Sequence, residues 1–269
     1  MLWGVIWYPM RLLEHHGLDG LWLTLLLYGA ALVASLPFII RELLVSEPGA
    51  PLLLLALFAG WANVAFVLAI LVGNIVRVML LFYLSPAWTV LLARLFLGER
   101  ISHRAVWTVF ASFVGAVALL WRPRALSLQM HGADWLALSA GVAFAASNVT
   151  TKRLSGVSLT AKSASVWVGV VAVAGLLTLL LRLPVPRITE TTLIGVIALG
   201  VGGILTMTCL VQFGVSHLPA QRSSVIMLTE LISGAASQRL LTNERMAAGA
   251  WAGVILIAVA AYVASRPSS

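Results

Sequence analysis

The sequence predicts an all-α integral membrane protein of about ten transmembrane helices, arranged as two inverted five-helix repeats. Three observations lead there: the composition, recurring long apolar runs, and an internal repeat. Hydrophobic residues make up 61% of the 269 residues and charged residues only 10%. A soluble domain carries about 25% charged residues. A water-soluble fold of this length would lack the polar groups to cover its core.

Apolar runs of about 20 residues, the length that crosses a bilayer as a helix, recur along the chain. Helices are expected because lipid offers no partner to open backbone groups. The predicted spans are 1–14, 20–40, 52–72, 76–97, 104–121, 133–151, 164–182, 191–214, 220–241 and 247–265. The first covers only about 20 Å at 1.5 Å per residue. It therefore requires tilt, local thinning of the bilayer or an upstream extension.

The connections between these spans are short and leave no room for a soluble domain. The longest lies near Arg122–Asp134 and contains Pro123 and His131. It divides the chain into a first repeat, residues 1–122, and a second repeat, residues 132–266.

The formal net charge of +8 comes almost entirely from arginine, since the only lysines are Lys152 and Lys162. These charges lie singly or in pairs at the ends of apolar runs, as in membrane proteins. No basic cluster is large enough to bind nucleic acid. The single cysteine, Cys209, excludes an intramolecular disulfide and a Cys-based metal site. The histidines are dispersed near the predicted membrane surfaces, and we expect neither a metal nor a cofactor.

An internal repeat appears when the chain is shifted by 145 residues, because the window 63–101 then lies on 208–246. All four charged residues of the first window match in type and position. The matched pairs are Arg77 with Arg222, Arg94 with Arg239, Glu99 with Glu244 and Arg100 with Arg245. Five spans separate the copies, so the second copy is inverted. Inverted repeats are common in secondary transporters, whose substrate site lies between the halves near the midplane.

The segment Ser85–Arg100, which reads SPAWTVLLARLFLGER, resembles the fourth-span signature of EamA-type transporters of the drug/metabolite transporter superfamily. The start, Leu2-Trp3-Gly4, is similar to the first span of that family. Thr229-Glu230 through Asn243-Glu244-Arg245 is similar to the same signature in the second repeat. The resemblance implies a five-plus-five helix permease with both termini cytoplasmic, commonly exporting amino acids or other small metabolites. Leu231 departs from Pro86 of the first copy, and Asn243 departs from Gly98.

Glu230 is the leading functional candidate, because its repeat counterpart is Ser85 and a lone carboxylate near mid-span is costly. On a continuous helix its neighbours form a polar stripe of small residues: Ser223, Met227, Ser233, Gly234 and Ser237. The functional interpretation is that Glu230 lines a central cavity and binds a coupling proton or an ammonium group. The alternative is a structural hydrogen bond between helices.

Further polar and aromatic residues are candidates for the lining of this cavity. They are Ser85, Trp88, Asn148, Asn63, Trp7, Tyr8, Trp61, Thr208, Gln212 and Ser233. Apolar walls with a few polar groups are typical of small-molecule sites. For Asn63 and Gln212 the alternative is an interhelical hydrogen bond, and for Trp7 and Trp61 it is packing or anchoring at the membrane interface.

Arg77 and Arg222 begin the fourth and ninth spans, on opposite membrane faces. One interpretation is that they gate the transporter, and the alternative is that their side chains snorkel to the membrane surface. The small residues Gly249 and Gly253, and likewise Ala111 and Gly115, are four positions apart and allow close contact between helices. They predict either packing within the chain or the face of a homodimer.

The combination predicts a secondary transporter in a bacterial cytoplasmic membrane, working on a small molecule by alternating access and driven by a proton or substrate gradient. The alternative is a membrane-embedded enzyme acting on a lipid or isoprenoid. Such an enzyme would need acidic or histidine clusters at one membrane face, which the sequence lacks. We therefore do not expect an enzyme.

Overall fold

The computed structural model describes residues 2–18, 20–43, 49–73, 75–120, 130–242 and 248–266, which are helical almost throughout. This confirms the predicted all-α fold. The α-helices are α1 Trp7–His15, α2 Gly20–Leu43, α3 Ala50–Val72, α4 Ile75–Phe82, α5 Ser85–Leu97, α6 His103–Leu120, α7 Gly132–Arg153, α8 Leu159–Leu180, α9 Glu190–Ile197, α10 Thr206–His217, α11 Ala220–Met227, α12 Thr229–Thr242 and α13 Ala248–Ser265. A 3₁₀ segment, Leu2–Gly4, precedes α1, and a π-helical segment, Ala198–Leu205, joins α9 to α10.

Several helix ends follow from local sequence. Helix α7 begins with a capping box, in which the backbone N–H of His131 donates to the Asp134 carboxylate at 2.7 Å. Ser158 caps α8 by accepting from the backbone N–H of Ala161. Helix α5 ends at Gly98, whose φ of +69° suits a residue without a Cβ atom.

Five helical stretches in the described residues are long and apolar enough to cross a membrane: Gly20–Glu42, Ala50–Val72, Arg77–Leu97, Leu159–Leu180 and Glu190–His217. A shorter apolar stretch covers Trp251–Ser265. Helix α7 has a lower hydropathy because it carries polar side chains such as Asp134 and Asn148, which are only 2% and 4% exposed. These polar groups are therefore buried against protein rather than exposed to lipid.

Helices of the two halves pack against each other. Helix α3 contacts α7 and α8, α2 contacts α8, and α5 contacts α7. At the edge of the bundle, α6 packs along α13. There Gly115 lies so close to α13 that an added Cβ would be 2.9 Å from the Gly253 carbonyl oxygen. The Gly115 and Gly253 motifs therefore serve packing within the chain, and the homodimer face predicted from them stays a prediction.

A contact at Glu99 shows that the matched helices run in opposite directions. The Glu99 carboxylate, just after the end of α5, accepts the backbone N–H of Ala220 at the start of α11, at 3.1 Å. At the other end of the α4–α5 pair, the Arg77 Nε atom lies 2.7 Å from the Asp134 carboxylate at the start of α7. The Glu99–Ala220 bond thus joins the end of one matched helix to the start of the other, as the inverted repeat predicts, and the Arg77–Asp134 pair joins the halves at the opposite face.

Three predicted spans are continuous in sequence but not in structure. The span 76–97 breaks at Tyr83–Leu84, the span 220–241 at Leu228, and the span 191–214 passes through the π-helical segment. These interruptions lie in apolar sequence, which preserves the hydropathy signal of an unbroken span. The predicted boundary at Arg122 and the counterparts Asn243, Glu244 and Arg245 lie outside the described residues.

Candidate functional site

The two helix breaks occupy equivalent places in the repeat, because Tyr83 and Leu228 are 145 residues apart. In the first half, Pro86 has no N–H to donate to the Phe82 carbonyl, so the helical hydrogen-bond ladder is interrupted there. The second half has no proline at this place. There the backbone N–H groups of Leu228 and Leu231 reach back three residues, to the carbonyls of Val225 and Leu228, and the Thr229 hydroxyl donates to the Ile226 carbonyl at 2.7 Å. The two breaks therefore share a place in the repeat but not a proline.

Glu230 lies in the first turn of α12, directly after the second break, and contacts the first break. The Tyr83 hydroxyl donates to Glu230 Oε1 at 3.1 Å. Tyr83 is 9% exposed, and Glu230 is half-buried. The predicted mid-span carboxylate therefore faces protein and bridges the two halves where both broken helices meet.

The sequence reasoning missed Tyr83. Its repeat partner is Leu228, so the hydroxyl is absent from the second copy and left no trace in the comparison of charged positions. The sequence does contain one signal for it, a difference between the two copies of the repeat. Tyr83 matches Leu228, and two positions further on Ser85 matches Glu230, so each copy has one polar group here that the other lacks.

An aromatic wall adjoins this hydrogen bond. The Phe82 ring lies 5.8 Å from the Tyr83 ring, 4.6 Å from the Phe66 ring and 5.5 Å from the Phe144 ring, measured between centroids. These rings come from α3, α4 and α7 and the first break. The Tyr83 side of the acid thus has an apolar border, such as encloses the non-polar part of a small molecule.

Three of the predicted residues lie close to the breaks. Ser85 is the first residue of α5 and is 4% exposed. Asn148 of α7 is 4% exposed, and its Nδ2 atom lies 4.0 Å from the Met227 sulfur atom, next to the second break. Trp88 lies one turn into α5, with a buried Nε1 that has no hydrogen-bond partner in the described part of the chain. Ser85, Trp88 and Asn148 thus stay candidates.

Asn63 and Gln212 form interhelical hydrogen bonds, as their alternative interpretation proposed. The Tyr28 hydroxyl of α2 donates to Asn63 Oδ1 at 2.7 Å. The Thr151 hydroxyl of α7 donates to Gln212 Oε1 at 2.9 Å. Both amides therefore have partners within their own half of the chain.

The remaining predicted residues are more dispersed. The Trp61 indole N–H donates to Ser139 at 3.2 Å, and its side chain is 37% exposed. Tyr8 is also 37% exposed, whereas Thr208 is buried with no partner for its hydroxyl among the described residues. The side chain of Trp7 lies outside what the structure describes.

Ser233 faces the N-terminal segment. A Cβ atom added at Gly4 would collide with the Glu230 carbonyl oxygen and with Ser233 Oγ. In addition, the Ser237 hydroxyl donates to the Gly4 carbonyl at 3.1 Å. The polar stripe predicted for α12 therefore packs on Leu2–Gly4, because its small side chains let that segment approach.

A second glycine approaches the first break. A Cβ atom added at Gly141 of α7 would lie 3.1 Å from the Phe82 carbonyl oxygen, at the first break. The first break thus lies against Gly141 of the second half, while Gly4 of the first half lies against the first turns of α12, just after the second break.

Arg77 is bound in an ion pair with Asp134, with the two side chains 12% and 4% exposed. The pair joins the two halves at one membrane face, while Glu99 and Ala220 join them at the other. Arg222 is half-buried near the start of α11. Across residues 2–18, 20–43, 49–73, 75–120, 130–242 and 248–266, no group of three His, Cys, Asp or Glu side chains is arranged to hold a metal ion.

The fold and this junction define a multi-pass membrane protein of two inverted helical repeats with an acid between them. The model of the EamA-like transporter family matches residues 1–121 and 131–266. The chain therefore belongs to the EamA-like transporter family, whose members are transporters of the drug/metabolite transporter superfamily.

Among solved structures, the chain is similar to one described as "Crystal structure of protein", with a TM-score of 0.83 and 17% sequence identity. That match covers 98% of this chain and 92% of the other chain. At this identity the similarity shows a shared fold alone. No curated protein matches the sequence.

Proposed function

We propose that this chain is a secondary transporter that exports a small amine-bearing metabolite, such as an amino acid, and that Glu230 binds the ammonium group or a coupling proton. The hydrogen bond between Tyr83 and Glu230 carries the proposal. It links a lone carboxylate to both broken helices and to both halves at once. A rearrangement of either half therefore changes the surroundings of that carboxylate.

The chemistry of the ligand follows from the acid and its neighbours. An ionised carboxylate accepts hydrogen bonds and donates none, and it is costly within a membrane. A proton or an ammonium group removes this cost. The rings of Phe66, Phe82 and Phe144 offer an apolar surface for the rest of the ligand, and aromatic faces also attract cations. An amphipathic amine satisfies both requirements.

Alternating access supplies the transport cycle. The Arg77–Asp134 pair ties the halves at one face, and the Glu99–Ala220 bond ties them at the other. Rocking the halves would break one tie while keeping the other, and the midspan junction would open to one side at a time. In the proposed orientation, both termini and the Glu99 face lie on the cytoplasmic side of a bacterial inner membrane.

A ligand screen on purified protein tests the proposal. Amino acids, purines and amphipathic amines are compared for their effect on thermal stability, in the natural protein, in Glu230→Gln and in Glu190→Gln. Glu190 is exposed at the start of α9, so its variant makes the same chemical change away from the junction. We expect amines to raise the melting temperature of the natural protein and of Glu190→Gln, and to leave the melting temperature of Glu230→Gln unchanged. Equal stabilisation of all three would exclude Glu230 as the binding group.

A further inference from the structure

The only two lysines of the chain contact the same residue, far along the chain from Tyr83 and Glu230. The Lys152 ammonium group, near the end of α7, donates to the Ser216 carbonyl at 3.0 Å. The Lys162 ammonium group, in the first turns of α8, donates to the Ser216 hydroxyl at 2.9 Å. Ser216 is next to the last residue of α10. Three helices of the second half thus bring two positive charges to one point.

The helix dipoles balance only part of this charge. The C-terminus of α10 carries about −0.5 elementary charge, which attracts both ammonium groups, but the N-terminus of α8 beside Lys162 carries about +0.5. The C-terminus of α7 beside Lys152 adds about −0.5, so the three helix ends together contribute about −0.5 against two full positive charges. Lys162 is 2% exposed, so water solvates it poorly. Within the described residues, neither lysine has an acidic partner.

Two buried polar side chains without a hydrogen-bond partner among the described residues follow Lys162 on α8. Among the described residues, five buried side-chain atoms lack a hydrogen-bond partner, and three of these belong to Ser163, Trp167 and Thr208. Ser163 directly follows Lys162, and Trp167 lies one turn further along the same face of α8. Thr208 is on α10, about 12 Å along the helix from Ser216, and does not belong to this group. An indole N–H only donates, and hydroxyls donate readily. The first turns of α8 therefore carry two donors without partners next to Lys162.

We propose that Lys152 and Lys162 form a binding site for a phosphate-bearing anion at the membrane face where α7 ends, α8 begins and α10 ends. Phosphate oxygens accept hydrogen bonds and compensate both ammonium groups. The helix ends place the site at headgroup depth, where basic pockets between transmembrane helices hold anionic lipids. An anionic phospholipid headgroup is therefore the source that this position favours, and a free phosphate ion is the other source. The site uses one half of the chain and is independent of the proposed transport function.

Native mass spectrometry of the purified full chain tests the site. The probes are phosphatidylglycerol, phosphatidylcholine and inorganic phosphate. The variants are Lys152→Gln, Lys152→Gln/Lys162→Gln, Lys152→Arg and Arg153→Gln. Arg153 is an exposed cation beside Lys152, so its variant removes the same charge outside the site.

We expect phosphatidylglycerol to bind the natural protein, Lys152→Arg and Arg153→Gln alike, and to bind Lys152→Gln at least about 10-fold more weakly, because a charge-assisted hydrogen bond is lost. Inorganic phosphate bound in place of the lipid, with the same dependence on the lysines, would support the site and identify a free anion. Equal binding of phosphatidylglycerol and phosphatidylcholine would overturn the proposal. Phosphatidylglycerol binding to Lys152→Gln as tight as to the natural protein would also overturn it. This single variant keeps the buried Lys162, so it gives a result even if the double variant fails to fold.

Discussion

At the scale of the residue, the Tyr83–Glu230 hydrogen bond decides how the acid behaves. Tyr83 is the donor, and its ring belongs to the same cluster as Phe82. The hydroxyl orients Oε1 towards the first break. An arriving ammonium group would donate to the same carboxylate while the hydroxyl keeps its bond, since a carboxylate accepts several hydrogen bonds.

Removing the hydroxyl should weaken transport without unfolding the protein. We expect Tyr83→Phe to retain the ring and its contacts, while substrate affinity falls by at least about 10-fold, since a hydrogen bond to a charged group is worth about 1.5–3 kcal/mol and tenfold is about 1.4 kcal/mol. Uptake into proteoliposomes at varied substrate concentration measures this change. Tyr262→Phe, at an exposed position on α13, is the matched control and should keep the natural affinity. Unchanged affinity in Tyr83→Phe would mean that Glu230 works without this partner.

The close approach of Gly4 to α12 leads to a second prediction for single residues. Gly4→Ala should lower both the thermal stability and the transport rate, because the new Cβ would collide with the Glu230 carbonyl oxygen and with Ser233. Gly202→Ala serves as the control, because an added Cβ there meets no atom within 4 Å. Differential scanning fluorimetry measures the stability of both variants. A Gly4→Ala protein as stable as Gly202→Ala would contradict the observed packing of Leu2–Gly4.

At the scale of the element, the symmetrical helix breaks are the main finding beyond the sequence. The sequence predicts that spans 76–97 and 220–241 exist and match each other, because length and hydropathy survive a one-residue or two-residue turn. It does not reveal the second break, since Leu228 is an ordinary helix former and Thr229 needs a particular backbone geometry to bond Ile226. The pairing of Asn63 with Tyr28 is also beyond sequence reasoning, because it depends on how α2 and α3 are rotated against each other.

Restoring the helical ladder at the first break should impair transport. Pro86→Ala supplies an N–H for the Phe82 carbonyl, so the α4–α5 pair should become a more regular helix and Tyr83 should move away from Glu230. We expect slower uptake with equal or higher thermal stability. Pro51→Ala, in the first turn of α3, makes the same change away from the junction and should have little effect. Faster or unchanged uptake in Pro86→Ala would show that the break has no role in transport.

At the scale of the whole molecule, polar contacts hold the two halves together at both faces. The Arg77–Asp134 pair lies at one face, and at the other face Glu99 accepts from Ala220 while the Gln221 amide donates to the Arg100 carbonyl at 3.2 Å. The internal repeat and the charged positions predicted the inverted architecture and the opposite locations of Arg77 and Arg222. They did not predict the partners, because Asp134 lies outside the repeated window and Ala220 contributes only its backbone. The Arg77–Asp134 pair supports a gating role for Arg77 more than free snorkelling, since the charge is bound to the opposite half.

Breaking one tie should bias the molecule towards opening at that face. The reporter is the double variant Cys209→Ser/Ser85→Cys, whose single thiol lies at the junction. The rate at which a membrane-impermeant thiol reagent labels it measures how open the junction is to the side where the reagent is added. We expect Arg77→Gln to raise labelling by reagent added at the Arg77 face, and Glu99→Ala, which removes the acceptor of the Ala220 N–H, to raise labelling by reagent added at the opposite face. Labelling that rises equally from both faces, or that neither variant changes, would argue against two separate gates.

Uptake driven by an imposed gradient is the most direct measurement of the proposed role of Glu230. Proteoliposomes receive the amine that stabilises the natural protein most, with and without a proton gradient, and carry the natural chain, Glu230→Gln or Glu190→Gln. We predict saturable uptake by the natural chain and by Glu190→Gln, and uptake at the level of empty liposomes for Glu230→Gln. If Glu230→Gln took up the amine as fast as the natural chain, both with and without the proton gradient, the result would contradict a transport site at the meeting point of the two broken helices.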